Sequence, residues 1–140
     1  MADQKPKLVV IEKNCRYCQA CMLACSMIHE QGNSSLEKAR LSIKREISDN
    51  KVTITICRHC AQPKCMDDCP TNAISRTSTG IVIIDEQACI ACGNCQKNCP
   101  FGAIIYIKDR NKYQKCDLCL GREEYPLCVA ICPVKAIILK

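Results

Sequence analysis

The sequence predicts an α+β fold of short strands and short helices, in which bound groups replace much of the usual apolar core. Three observations lead there. Cysteine supplies 16 of the 140 residues, these fall into four groups of four, and a C-P-x-x-A-I unit occurs three times. Ordinary packing material is thin, with one Phe and no Trp, so the thiols are needed for stability as disulfides or as metal ligands.

The elements follow in order along the chain. Met1-Ala2-Asp3-Gln4-Lys5-Pro6-Lys7 has neither the apolar stretch of a signal peptide nor a twin arginine. A cytoplasmic protein without a disulfide framework is therefore expected. Leu8 to Ile11 reads as a strand, echoed by Ile81 to Ile84. Helix is expected over Leu23 to Glu30 and loop over Gln31 to Ser35. Leu41, Ile43 and Ile47 are interleaved with polar residues, as are Val52, Ile54 and Ile56, which predicts a hairpin turning at Asp49-Asn50. Thr77-Ser78-Thr79-Gly80 turns a second hairpin and Asp109-Arg110-Asn111 a third. No apolar run is long enough to cross a membrane.

The cysteine spacing carries the chemistry. Cys89, Cys92, Cys95 and Cys99-Pro100 form the C-x2-C-x2-C-x3-C-P run of bacterial ferredoxins. Cys15, Cys18, Cys21 and Cys25 repeat it with Ser26 in place of proline. Cys57, Cys60, Cys65 and Cys69-Pro70 widen the middle gap to four residues, and Cys116, Cys119, Cys128 and Cys132-Pro133 widen it to eight. Three thiolates so close in sequence can surround one cubane only if the backbone turns tightly with its amides pointing inward. Ala20, Ala91 and Gly93 permit that approach. The fourth cysteine of such a motif ligates the neighbouring cluster, so the groups must work in pairs. Zinc sites join two C-x2-C knuckles across a longer loop, which fits this pattern badly, and the C-x3-C-x2-C order of radical-SAM proteins is absent.

The repeat supports the pairing independently. Cys69-Pro70-Thr71-Asn72-Ala73-Ile74, Cys99-Pro100-Phe101-Gly102-Ala103-Ile104 and Cys132-Pro133-Val134-Lys135-Ala136-Ile137 are one unit three times over. Each half-unit is then a strand, a cysteine loop, a short helix carrying the fourth cysteine, and a return strand. Two halves make a bacterial-ferredoxin-like α+β unit.

Charge and composition exclude other functions. The formal net charge of +6 counts every cysteine as neutral; four oxidised all-thiolate clusters would bring it to about −2. The basic residues Lys5, Lys44, Arg45, Arg58, Lys97, Lys108, Arg110 and Lys115 form no block. Tyr17, Phe101, Tyr106, Tyr113 and Tyr125 are too few for base stacking, so nucleic acid is not an expected partner. No G-x-G occurs, and no catalytic residues are expected. Of the two histidines, His29 at a helix end and His59 between two cysteines are expected to pack or hydrogen-bond. Arg58, Lys97 and Lys115 lie beside cysteines, where they are either solvated counter-charge or a means of raising a cluster's potential.

With its motifs laid out, the chain resembles the four-cluster iron-sulfur electron-transfer subunits that accompany molybdenum or tungsten oxidoreductases, such as dimethyl sulfoxide reductase and formate dehydrogenase. The likeness runs from Leu8 to Leu139. It is most specific at Cys57-Arg58-His59-Cys60-Ala61-Gln62-Pro63-Lys64-Cys65, at Lys115-Cys116-Asp117-Leu118-Cys119 and at Pro126-Leu127-Cys128-Val129. The resemblance implies four [4Fe-4S] clusters. Cluster 1 would be held by Cys15, Cys18, Cys21 and Cys132, and cluster 2 by Cys57, Cys60, Cys65 and Cys99. Cluster 3 would take Cys89, Cys92, Cys95 and Cys69, and cluster 4 Cys116, Cys119, Cys128 and Cys25. It also implies two ferredoxin-like units, one inserted in the other: residues 1–50 plus 108–140 outside and 51–107 inside. The expected function is a non-catalytic relay of single electrons between a large catalytic subunit and a flavoprotein, an FAD/NAD-linked subunit or a ferredoxin. The alternative is a freely diffusing polyferredoxin. Among family members, the chain is most similar to the short versions, including those beside tungsten aldehyde oxidoreductases.

Overall fold

The computed structural model describes residues 7–122 and 126–140; residues 1–6, most of the segment read for export, and Tyr125 lie outside them. Strand β1 (Leu8–Val10) pairs antiparallel with β8 (Ile137–Leu139), Val9 opposite Ile138. The described chain therefore closes on itself. Between these strands lie three antiparallel hairpins: β2 (Leu41–Glu46) with β3 (Lys51–Ile56), β4 (Ile74–Arg76) with β5 (Val82–Ile84), and β6 (Ile105–Ile107) with β7 (Lys112–Gln114). The four pairs are separate sheets rather than one.

Four helices follow the cysteine loops: α1 (Ala20–His29), α2 (Lys64–Asp67), α3 (Asn94–Asn98) and α4 (Leu127–Ile131). The first packs on the last and the second on the third. This nesting repeats that of the strands, where the outermost pair encloses the others. The expected boundaries at 50 and 108 fall in the turns of the β2–β3 and β6–β7 hairpins, so each of these hairpins has one strand on either side of a boundary.

Three local expectations need correction. Helix α1 begins at Ala20 rather than Leu23, because Gln19 at its N-terminus is left-handed (φ 61°) and the chain coils directly out of that turn. Ile47 does not extend β2; it sits in the turn, 94% exposed. The short helices carry the third cysteine of each group, whereas Cys99 and Cys132 are the C-caps of α3 and α4 and Cys69 lies just past α2. Only in the first group is the fourth cysteine, Cys25, inside a helix.

The core is built in two parts. Met22, Leu41, Ile43, Ile54, Ile56 and Ile137 bury together around Cys21, Cys25, Cys116 and Cys128. Ile74, Val82, Ile84 and Ile104 surround Cys95. Polar ties join the layers. The Ile54 amide donates to Glu12 (3.0 Å), and Arg110 in the β6–β7 turn bonds both Glu30 at the end of α1 (2.5 Å) and Glu86 just after β5 (2.8 Å). No helix among the described residues is long and apolar enough to cross a membrane.

Candidate metal centres

Every cysteine loop folds by one local rule. The residue two places after the first cysteine is left-handed in all four groups: Tyr17, His59, Ala91 and Leu118 have φ between 45° and 58°. That conformation turns the amide back toward the preceding thiol. Each donates to the sulfur of Cys15, Cys57, Cys89 or Cys116 at 3.4–3.5 Å. In the C-P-x-x-A-I units the third residue after the cysteine is also left-handed (Asn72, Gly102 and Lys135, φ 52–62°). The following alanine amide reaches the sulfur of Cys69, Cys99 or Cys132 at 3.3–3.4 Å. Such N–H···S bonds stabilise the charged thiolate.

Cys25 departs from this pattern and shows why Ser26 replaces proline. Ser26 is fully buried within α1; its hydroxyl donates to the Leu23 carbonyl (3.0 Å) and accepts the Ser35 amide (2.9 Å). The helix thus continues past Cys25, whose sulfur instead meets the Arg40 amide (3.4 Å) and His29 Nδ1 (3.6 Å).

The sulfurs gather in sets drawn from different groups. Cys57, Cys60, Cys65 and Cys99 line one cavity, together with Lys115. Cys69, Cys89, Cys92 and Cys95 line another. Burial pushes the Cys21 thiol up to about 12, with its neighbours Cys132, Cys15 and Cys18 adding to the rise. Burial likewise pushes Cys128 up to about 12, with Cys119, Cys25 and Cys21 adding to the rise. Cys116 is raised well above its ordinary value by burial, with Cys128, Cys57 and Cys25 around it. None of the sixteen cysteines is joined in a disulfide.

These directions bear on what the sets can hold. Thiols raised by burial and by like-charged neighbours deprotonate only when a cation is supplied among them. Among the described residues, no three His, Cys, Asp or Glu side chains are arranged to hold a single metal ion. A tetrahedral zinc draws its thiolates to about 2.3 Å of one centre, whereas an iron-sulfur cubane spreads four thiolates over a larger body. The donor set, the inward amides and the apolar walls all suit the cubane.

The candidate tuning residues separate sharply. Arg58 and Lys97 are exposed, Arg58 lying over the Phe101 ring at 4.6 Å. Lys115 is 1% exposed. His59 is buried, and its Nδ1 accepts the Val82 amide (3.1 Å), a structural role. His29 does more than pack. Burial pulls its pKa down, but the hydrogen bonds to Asp117 Oδ1 (from Nε2, 2.9 Å) and to Cys25 together outweigh this and push it up to about 9. Arg40 meets the other Asp117 oxygen at 3.4 Å. Sequence reasoning gave Arg40 no part and Asp117 no role beyond its place in a motif; the available signal, that Cys25 and His29 stand four residues apart on one helix face, pointed only to His29.

Comparison with known proteins agrees with this chemistry. A family described as "4Fe-4S dicluster domain" matches residues 48–140, which hold the second, third and fourth cysteine groups. The electron transport protein HydN of Escherichia coli (strain K12) is 30% identical, covering 94% of this chain and 85% of its own. The thiosulfate reductase electron transfer subunit PhsB of Salmonella typhi is 31% identical, covering 90% of this chain and 70% of its own. Among solved structures, a chain of the active site complex BamBC of benzoyl coenzyme A reductase superposes with a TM-score of 0.59. It is 21% identical, over 96% of this chain and 78% of that one, and so supports the fold.

Proposed function

Since this chain belongs to the 4Fe-4S dicluster domain family, we propose that it relays single electrons through four [4Fe-4S] clusters as the non-catalytic subunit of a larger oxidoreductase. The ligand sets are Cys15, Cys18, Cys21 and Cys132; Cys57, Cys60, Cys65 and Cys99; Cys89, Cys92, Cys95 and Cys69; and Cys116, Cys119, Cys128 and Cys25. Each cluster, when bound, takes up and returns one electron with little rearrangement. The protein holds the thiolates with backbone amides and keeps water away with isoleucine, valine and leucine side chains.

One observation carries the reading: each set neighbours the next in succession, and the two terminal sets each hold an exposed cysteine. Burial raises Cys95, Cys116 and Cys128, and among the smaller contributions Cys65 acts on Cys95, Cys57 on Cys116 and Cys21 on Cys128, so these pairs are neighbours. The order is therefore the Cys89 set, the Cys57 set, the Cys116 set and the Cys15 set. Cys92 and Cys18, in the two terminal sets, are the exposed cysteines. A path that opens to solvent at both ends suits a carrier placed between two partners. Those partners are a large molybdenum or tungsten catalytic subunit at one end and a flavoprotein, FAD/NAD-linked subunit or ferredoxin at the other. The helix pairing, α2 with α3 inside α1 with α4, supports two ferredoxin-like units, 51–107 within 1–50 plus 108–140, which the β2–β3 and β6–β7 hairpins join.

The name of PhsB, an electron transfer subunit of a reductase, favours the subunit reading, and that of HydN, an electron transport protein, accommodates a free carrier. Anaerobic gel filtration of native extract separates the two. The subunit reading expects the chain to elute with a large subunit containing molybdenum or tungsten. An isolated iron-containing peak at 15.6 kDa means a diffusing polyferredoxin instead.

A further inference from the structure

A buried cation at the crossing between the two middle sulfur sets has no assigned role. Lys115 is 1% exposed, and among the described residues it makes no ion pair with a carboxylate. Its ammonium donates to the Val82 carbonyl on β5 and to the Cys116 carbonyl (3.1 Å). Two carbonyl dipoles do not balance a full charge removed from water; such a charge is retained in a protein interior only beside an anion.

The surroundings supply that anion only if the clusters are present. Lys115 lines the same cavity as Cys57, Cys60, Cys65 and Cys99, and it directly precedes Cys116, whose sulfur lies next in line. Arg58 and Lys97, also beside cysteines, are exposed, where solvent and salt weaken their fields.

We infer that Lys115 is the fixed counter-charge of the Cys57, Cys60, Cys65, Cys99 cluster, holding its reduction potential above the value its thiolates alone would set. Reduction adds a negative charge within the field of a desolvated cation, so the reduced form is stabilised more than the oxidised form. The residue acts through the cluster's environment and is a positioning residue, not a ligand. This inference rests on the four-cluster reading.

The test compares the wild-type chain with K115M and K115R, each purified anaerobically, by paramagnetic-resonance redox titration with iron and sulfide assayed on the same samples. K115M is expected to lower one midpoint and leave the others in place. K115R, which keeps the charge, is expected to return that midpoint toward the wild-type value. Loss of a single cluster in K115M with native potentials in K115R also supports the counter-charge role. Four unmoved midpoints in K115M with full iron overturn it, as does the same cluster loss in both variants, which would mark Lys115 as a matter of shape. If the wild-type chain lacks iron and sulfide, it is the four-cluster reading that fails.

Discussion

Gly93 is where backbone conformation and side-chain volume constrain a cysteine loop together. Its φ is +83°, and a Cβ there would lie 3.1 Å from the Tyr113 hydroxyl. The matching position of the first group holds Gln19 at φ 61°, so the left-handed turn by itself accepts a side chain; the tyrosine makes the difference. G93A should therefore destabilise the holoprotein by about 1–2 kcal/mol. It should also speed cluster loss on heating, followed as bleaching of the visible absorption. At Gly102 a Cβ meets nothing within 4 Å, and the equivalent residues Asn72 and Lys135 carry side chains at similar φ. G102A is accordingly expected to behave closer to wild type. These positions also mark what could be read from the residues alone. Ala91 and Gly93 were legible as small residues of a tight loop, but Tyr17, His59 and Leu118 adopt the same left-handed turn as Ala91 with large side chains. Nothing in their chemistry advertises that; the pull of the amide toward the sulfur imposes it.

Among the elements, the β6–β7 hairpin illustrates how short strands are held in place without a large sheet. Three residues per strand cannot fix its position alone. Arg110 therefore ties its turn to Glu30 and Glu86, while Gln114 on β7 donates to Glu86 (3.0 Å) and Lys112 to the Cys89 carbonyl (2.5 Å). Burial raises the Glu86 carboxyl, but Arg110 and Gln114 outweigh it and hold the group below its ordinary 4.5. A carboxyl depressed in the folded state stabilises above its unfolded value and loses that contribution as pH falls through the folded one. E86Q is thus expected to weaken the protein by about 1 kcal/mol near neutrality, a figure reduced by the partial exposure of the pair. The gap from wild type should close below about pH 4.5, a change checked by the urea midpoint of cluster bleaching. A gap that persists unchanged into acid would assign the effect to shape rather than charge. All three hairpins were legible from alternation and turn residues. The start of α1 was not, because the helix is launched by a left-handed glutamine rather than by a recognisable cap.

At the scale of the molecule, the sixteen cysteines pointed to iron-sulfur chemistry, and the C-P-x-x-A-I repeat pointed to groups that work in pairs. Spacing alone did not determine which cysteine crosses to which set, since that depends on α1 packing against α4 and α2 against α3. Nor could it separate the buried Lys115 from the exposed Arg58 and Lys97, because all three simply adjoin a cysteine in sequence. The account as a whole stands on the sulfur sets acting as a line of one-electron sites. A reductive titration of the anaerobically purified chain, with iron, sulfide and protein determined on one sample, tests this most directly. The expected result is uptake of about four electrons per chain, with about sixteen iron and about sixteen sulfide. Uptake of two electrons or fewer at full metal content, or zinc without sulfide, would contradict it.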